Sequence, residues 1–357
     1  MAEFVDNNKA SAGASVSNNQ QQMQIIIHDK ENDKYYWPAV QEGVTWDLTW
    51  KGSPGKLTFK VLADKLLNFH EGDTVQANFG GTNFFKGFVF TKKRSKEGII
   101  TVTAYDQIRY LKNKETYIFT NKTASAIIKQ IVEDFQLKKD DDELFKMNTG
   151  TAEEGFADTG YVIPKYRGSN KTLLDIIQTT LDMTTENTGR LYVFYDDFGK
   201  LMLKDLEQME VKIVINDEAA QDFSYTSDID KDTYNQVKLF YDNKETGKRD
   251  VWMAQDSANI KRWGLLRLTE SVNPKKGMNF GQMADVKLKL SNRVKRSLSI
   301  SGAFGDLRVR GGSMLYVDLN LGDVQLTKKV IVESVKHKFD NGLHTMDLTV
   351  KGDVITG

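Results

Sequence analysis

Tyr105, Asp106, Arg109 and Tyr110 crowd into the stretch GIITVTAYDQIRYLKN and carry side-chain types that active sites use. A carboxylate near a guanidinium and two phenols has the groups for proton transfer or for holding an anion. The surrounding pattern points elsewhere. Ile100, Val102 and Ala104 alternate with Thr101, Thr103 and Tyr105 as a strand does, and Ile108 and Leu111 follow at helical spacing. At that join Asp106 is placed to cap the helix N-terminus, with Arg109 three residues on and within its reach. The tyrosines give amphipathic cover. Asp106, Arg109 and Tyr110 therefore read as a structural seam between a β unit and the segment after it.

Other chemistry-bearing residues form no stronger pattern. The histidines at 28, 70, 337 and 344 lack metal-ligand spacing, although His337 and His344 are expected to face each other across a hairpin with a loop of about four residues. In DIDKDT, Asp228, Asp230 and Asp232 match the opening of a calcium loop, but Thr233 stands where that loop needs glycine and Leu239 where it needs glutamate. There is no G-x-S-x-G elbow, H-E-x-x-H helix or phosphate loop. The carboxylate pairs Glu153-Glu154 and Asp196-Asp197 sit in turn-like surroundings, without sign of the cleft a glycosidase needs. Neither an enzyme nor a cofactor is expected.

Composition narrows the classes further. The 357 residues contain 49 Lys+Arg and 49 Asp+Glu, so no basic excess favours stable nucleic-acid binding. The absence of cysteine removes disulfides, thiolate metal sites and thiol nucleophiles. No apolar run approaches the ~20 residues that span a bilayer, and the N-terminus lacks the features of a secretory signal, so membrane insertion is not expected.

The elements fall into four stretches. Residues 1–22, rich in Ser, Asn, Gln and Ala, read as a flexible arm. Residues 23–112 hold short β runs (MQIIIH, VTWDLTW, KLTFKVL, TVQANF, FKGFVFT, IITVTAY) broken by glycine turns, the texture of a first antiparallel barrel. Residues 113–215 carry two amphipathic helices, in TASAIIKQIVEDF and KTLLDIIQTTL, each opened by Asn-Lys-Thr, and then a hairpin around Asp196-Asp197-Phe198-Gly199. That makes an inserted α+β module. Residues 216–357 return to β texture as a second barrel with an accessory helix near Phe280 to Arg293, whose face is Met283, Val286 and Leu290. The expected fold is mainly β: two tube-protein-like antiparallel barrels separated by a small α+β module.

The end of the chain echoes the first barrel. With Gly98 laid on Gly342, Thr101 meets Thr345, and Lys92 and Arg94 meet Lys336 and Lys338; EGDTVQANF answers GGSMLYVDL. Alternate strand residues share a face, so these four cations mark a candidate assembly or lumen face.

AYDQIRYLKN also resembles the strand-to-helix signature of the XkdQ/YqbQ family. SPGKLTF and EGDTVQANF resemble that family's first barrel. TASAIIKQIVEDF, KTLLDIIQTTL and GRLYVFYDDFGKLML resemble its insertion. TYNQVKLFY, KRWGLL, VRGGSMLYVDL and VKHKFDNGLHTMDLTV resemble its last barrel. The order holds over about residues 23 to 352, and the N-terminal arm is longer than the family usually carries. The resemblance implies a hub, similar to the late control gene D type, in the baseplate of a contractile phage tail, a PBSX-like prophage particle or an R-type bacteriocin. It further implies a homotrimer assembled in the bacterial cytoplasm, whose partners are the tail tube protein, the central spike and other baseplate or tape-measure components. Two alternatives are a tail-associated peptidoglycan hydrolase, for which no unassigned segment is large enough, and a carbohydrate-binding β protein. The latter would stack sugars on Trp37, Trp46, Trp50, Trp252 or Trp263, but Trp46 and Trp50 fall at core-like strand positions.

Overall fold

The alternation in MQIIIHD becomes a strand, β1 (Met23–Asp29), with Ile25 and Ile27 buried. The computed structural model describes residues 22–135, 155–243, 246–272, 280–320 and 325–351, so the expected arm lies outside the described residues except for Gln22. Six further strands complete the N-terminal β half: β2 (Lys34–Tyr36), β3 (Val40–Thr49), β4 (Lys56–Leu62), β5 (Thr74–Phe79), β6 (Thr82–Arg94) and β7 (Ile99–Tyr105). A 3-10 turn over Gln107–Lys112 follows.

Next come β8 (Lys114–Thr123), α1 (Ala124–Phe135), β9 (Val162–Thr172), α2 (Leu173–Thr188) and the hairpin of β10 (Tyr192–Asp197) and β11 (Lys200–Asp205). The repeated Asn-Lys-Thr has a physical reason. Asn121 and Asn170 take the left-handed backbone at φ 52° and 51°, which asparagine tolerates better than most residues. Two residues on, the threonine hydroxyls accept amide hydrogens from Ala126 and Asp175 and so cap the two helices. Ile127, Ile128, Ile131 and Val132 of α1 pack with Leu173, Ile176 and Ile177 of α2 in the module's own core, which also takes in Ile108 and Leu111.

The remainder begins with β12 (Glu210–Asn216) and β13 (Asp222–Asp228). It continues through β14 (Gln236–Asn243), β15 (Lys248–Gln255), α3 (Ser257–Trp263), β16 (Arg267–Ser271) and α4 (Phe280–Ser291). It ends with β17 (Lys295–Phe304), β18 (Met314–Asn320), β19 (Gln325–Asp340) and β20 (Leu343–Lys351). Strands β14, β15 and β16 form a separate three-stranded sheet, and α4 packs on it around Val237, Leu239, Ala254 and Phe280. The helix expected near Phe280 is present, but its buried face is Phe280 and Ala284, whereas Val286 and Leu290 are exposed. The aromatic ring of Phe280 against Trp252, centroids 4.7 Å apart, sets that orientation.

The two β halves do not stand apart. Residues Ser334–Phe339 of β19 pair antiparallel with Val44–Thr49 of β3. This ladder fuses both halves into one thirteen-stranded sheet whose path runs β13-β17-β20-β19-β3-β4-β7-β6-β5-β1-β2, with β18 beside β19 and β12 beside β18. One apolar core underlies both, from Ile25 and Val102 to Leu298 and Leu348. The described pairings close neither half into a barrel of its own. The long β19 explains this: its first part serves β18, its last part β3, and β20 runs along the other side.

Within the sheet one arrangement occurs twice. The order β4-β7-β6-β5 is matched by β17-β20-β19-β18. Gly72 donates to Val89 O, and Val89 donates to Asp73 O; Gly312 and Val332 repeat these bonds, with Ser313 in place of Asp73. The register slips after Val89 in β6 and at the matching point after Val332 in β19. These are β-bulges, each admitting one extra residue, Phe90 and Glu333.

Candidate assembly face and the buried junction beneath it

The structural repeat re-assigns the expected cations. Since Val89 matches Val332 and each is followed by a bulge, Lys93 matches Lys336, and Lys92 matches the buried Val335. A one-residue shift turns a strand position to the other side of the sheet. Lys92 and Arg94 accordingly stand level with buried Val102 and Ile100, on the core side. There the Lys92 ammonium donates to Phe69 O and lies 4.8 Å over the Phe69 ring, while Arg94 is exposed at the rim. Lys336 and Lys338 are on the opposite face, with Lys93. The structure does not bring the four expected cations onto one face. The equivalent of Lys336 is Lys93, which matching the hairpin glycines Gly98 and Gly342 does not reveal, because the two hairpins differ in length.

That opposite face is polar across both halves. One row runs Thr91, Thr103, Thr58, Thr45, Lys338 and Thr345; another runs Thr49, Ser334, Thr349, Ser299 and Ser224. Its charges neutralise one another locally. Lys56 meets Asp47 at 2.8 Å, Lys338 pairs with Asp347, and Lys336 stands between Asp47 and Asp347 on the neighbouring strands. The bond to Asp47 pushes the Lys56 ammonium above its ordinary range. A shallow hollow of about 330 Å³ lies here, lined by Thr49, Ser299, Ser334, Lys336 and Asp347 among others.

The seam at Asp106 is a junction of three segments. Asp106 caps the 3-10 turn by accepting from Ile108 N at 3.1 Å, and its other oxygen accepts from Gly55 N at 2.7 Å. Gly55 is required here, because a Cβ would come within 2.6 Å of that carboxylate oxygen. Arg109 does not reach the Asp106 carboxylate as expected. Its guanidinium lies 5.1 Å over the Phe90 ring, because the tight turn sends the side chain across β6. Tyr110, half-buried, meets Phe88 edge-on at 5.4 Å, and burial raises its phenol.

The partners of Asp106 come from far along the chain. Asp196, near the end of β10, is buried rather than in an open turn; the turn itself is Phe198-Gly199, both with positive φ. Gln107 donates to one Asp196 oxygen, and Gly199 N donates to the other at 2.8 Å. Arg310, nearly buried, donates to Asp196 O at 2.9 Å, stacks 4.1 Å over Tyr195 and lies 3.9 Å from Asp197. Burial and mutual repulsion hold the Asp106 carboxyl well above the usual carboxylate range, and burial pushes Asp196 up to about 6. Beside this cluster Trp50 donates its indole hydrogen to Tyr192 O at 3.2 Å, within an apolar patch of Val193, Leu206, Met209 and Ile331. Sequence spacing carries no signal for contacts of such separation.

His337 and His344 meet, across a two-residue turn at Asn341-Gly342 rather than a loop of about four. His337 Nε2 lies 2.9 Å from Val309 O and so carries the hydrogen. Its Nδ1 therefore accepts from His344 Nε2, also 2.9 Å away. Trp46 and Phe339 flank the pair. Burial pushes His337 down to about 3 and His344 down to about 4.

Among the described residues, Asp29, His70 and Asp73 bring three metal-ligating atoms within 4.8 Å of one another. The carboxylates are already engaged: Asp29 accepts from Glu31 N, Asn32 N and the Asn32 amide, and Asp73 from Lys30 N and His70 N. They hold two turns together. Trp46 and Trp50 are buried, and Trp37 is exposed next to the edge strand β2, where it lines one hollow with Leu62 and Leu66.

A protein-family model described as YQBQ-like matches residues 44–351. The uncharacterized protein YqbQ of Bacillus subtilis (strain 168) is 30% identical over 321 residues, spanning 87% of this chain and 92% of its own. The phage-like element PBSX protein XkdQ of the same strain is 31% identical over 284 residues, spanning 78% and 81%. In fold, the chain is similar to the 43 kDa tail protein of prophage MuSo2 from Shewanella oneidensis, with a TM-score of 0.64 at 12% identity over 92% of this chain and 98% of that one.

Proposed function

The chain belongs to the YQBQ-like family, and from that membership we propose that it is a structural hub of a tail baseplate, a homotrimer that joins a six-fold tail tube to a three-fold central spike. The observation that carries this reading is the repeat of β4-β7-β6-β5 in β17-β20-β19-β18 within one continuous sheet. Three copies about an axis then offer six alike β units, which match a hexameric ring on one side and a trimer on the other. The β3–β19 ladder fixes the two units of each chain relative to each other, so that the match is rigid.

The exposed polar face suits a surface turned toward the channel or toward the tube. It is rich in hydroxyls, and Lys56, Lys336 and Lys338 stand against Asp47 and Asp347 of the same chain, so that part of its charge is balanced locally. Lys93 and Lys336 occupy equivalent positions and give a ring of six ammonium groups at one level, with Lys338 beside it and Arg94 at the rim, while Lys92 is held on the core side by Phe69. The role is mechanical rather than enzymatic, and the particle is a contractile tail of the phage or R-type bacteriocin kind. The test is the mass of the complex formed with the tube protein and the central spike. Three copies of this chain per spike support the reading. Binding that stops at one copy per spike trimer removes it.

A further inference from the structure

We propose that Asp106, Asp196 and Arg310 form a proton-sensitive latch that fastens the β10–β11 hairpin of the inserted module to both β halves of the sheet. Each member belongs to a different segment: Asp106 to the corner after β7, Asp196 to the end of β10, and Arg310 to the loop before β18. All three are buried or nearly so. They are tied together by the Gln107 bridge to Asp196, the Arg310 bond to Asp196 O and the Gly55 bond to Asp106. Trp50 extends the same contact to Tyr192. The latch is separate from the assembly reading above and does not depend on it.

The charges around it are few. Arg310 is the cation in contact, Asp197 adds a carboxylate 3.9 Å from Arg310, Lys86 runs beside Gly199, and Tyr195 lies under Arg310. With one carboxyl protonated, the guanidinium balances the other and the cluster is neutral. When both ionise, two buried like charges face one cation in a site of low polarity, and the corner and the hairpin repel. The proton taken up on closing comes from solvent and returns there on opening.

The direction follows from linkage. A carboxyl held at about 6 when closed and near 3.8 when open raises the opening constant by about tenfold between pH 5 and pH 8. The chain has no cysteine, so two introduced thiols at exposed Lys60 and Lys200 can carry spin labels without background. Pulsed electron spin resonance on the full chain is expected to give one narrow distance at pH 5, with a broad second population growing about tenfold by pH 8. Asp196→Asn, which cannot ionise, is expected to keep the narrow distance at both pH values. Asp106→Asn provides the same comparison should Asp196→Asn fold poorly. A distribution that ignores pH in the unsubstituted protein overturns the latch, as does an equal response in the asparagine variants.

Discussion

Lowering the pH from 7.5 to 5 tests the buried imidazole pair, and the size of the effect follows from the structure. The Nδ1 atom of His337 faces the Nε2–H of His344, and its own Nε2–H is spent on Val309 O. A second hydrogen on His337 would set two donors against each other among Trp46 and Phe339. Both imidazoles therefore stay neutral in the folded chain, with pKa values pushed down to about 3 and about 4. In the unfolded chain they titrate near 6.5, so stability from this source is fully present above that value and is lost as the pH falls below it. At pH 5 the loss is about 2 kcal/mol for His337, a figure set by protonation of the unfolded state. His344, held at about 4, is also neutral at pH 5 in the folded chain and adds a similar share by the same arithmetic. Asp106 and Asp196 act in the opposite direction, since their raised carboxyls favour the folded state as the pH falls. Two measurements separate these contributions. With only four histidines in the chain, the His337 ring resonances can be followed by NMR and are expected to stay unmoved from pH 8 to pH 5. Urea unfolding of His337→Gln is expected to lose about 2 kcal/mol less than the unsubstituted protein over that interval. A His337 titration midpoint near 6.5, or equal losses in both proteins, would show that the pair is not held neutral.

Other substitutions probe the remaining parts. Gly311→Ala drives a Cβ to 2.1 Å from the backbone of Thr49 and Trp50, atoms that cannot swing aside; a loss of about 3 kcal/mol in urea unfolding is expected. Ile128→Ala, at a fully buried site between α1 and α2, is expected to cost about 2–5 kcal/mol through the cavity it leaves, with exchange of α1 and α2 amides accelerated first. Lys338→Ala removes a half-exposed ion pair with Asp347 and is expected to change stability by less than about 1 kcal/mol. A larger loss would mean that the polar face serves folding rather than contact.

Much of this architecture was legible in local pattern. The strands of the N-terminal half announce themselves by alternation, and α1 and α2 by an apolar stripe behind a capping threonine. Even the doubled Asn-Lys-Thr had a mechanical cause that the φ values of Asn121 and Asn170 supply. The β repeat was visible as an echo, but its register was not. Matching Gly98 to Gly342 placed Lys92 on Lys336, whereas matching the bulged strands at Val89 and Val332 places Lys93 there, since the hairpins that follow differ in length. A single extra residue reverses a strand's faces, and nothing in the side-chain order marks it. The fusion of the halves through β3 and β19 joins residues from opposite ends of the chain, beyond any periodicity. The same holds for the junction. Asp106 could be read as a cap from its neighbours, but its partners Asp196 and Arg310 are supplied by tertiary packing. Asp196 looked like an open-turn residue because the turn pair Phe198-Gly199 follows so closely, at the tip of a real hairpin.

Two alike β units per chain, acting as neighbours in one ring, are what the proposed hub stands on. A reconstruction of the assembled particle viewed along its axis tests this directly. Three copies of the chain are expected, with β4–β7 and β17–β20 of each related by a rotation of about 60° around that axis. Units that face the axis in unrelated orientations, or a copy number other than three, would contradict it.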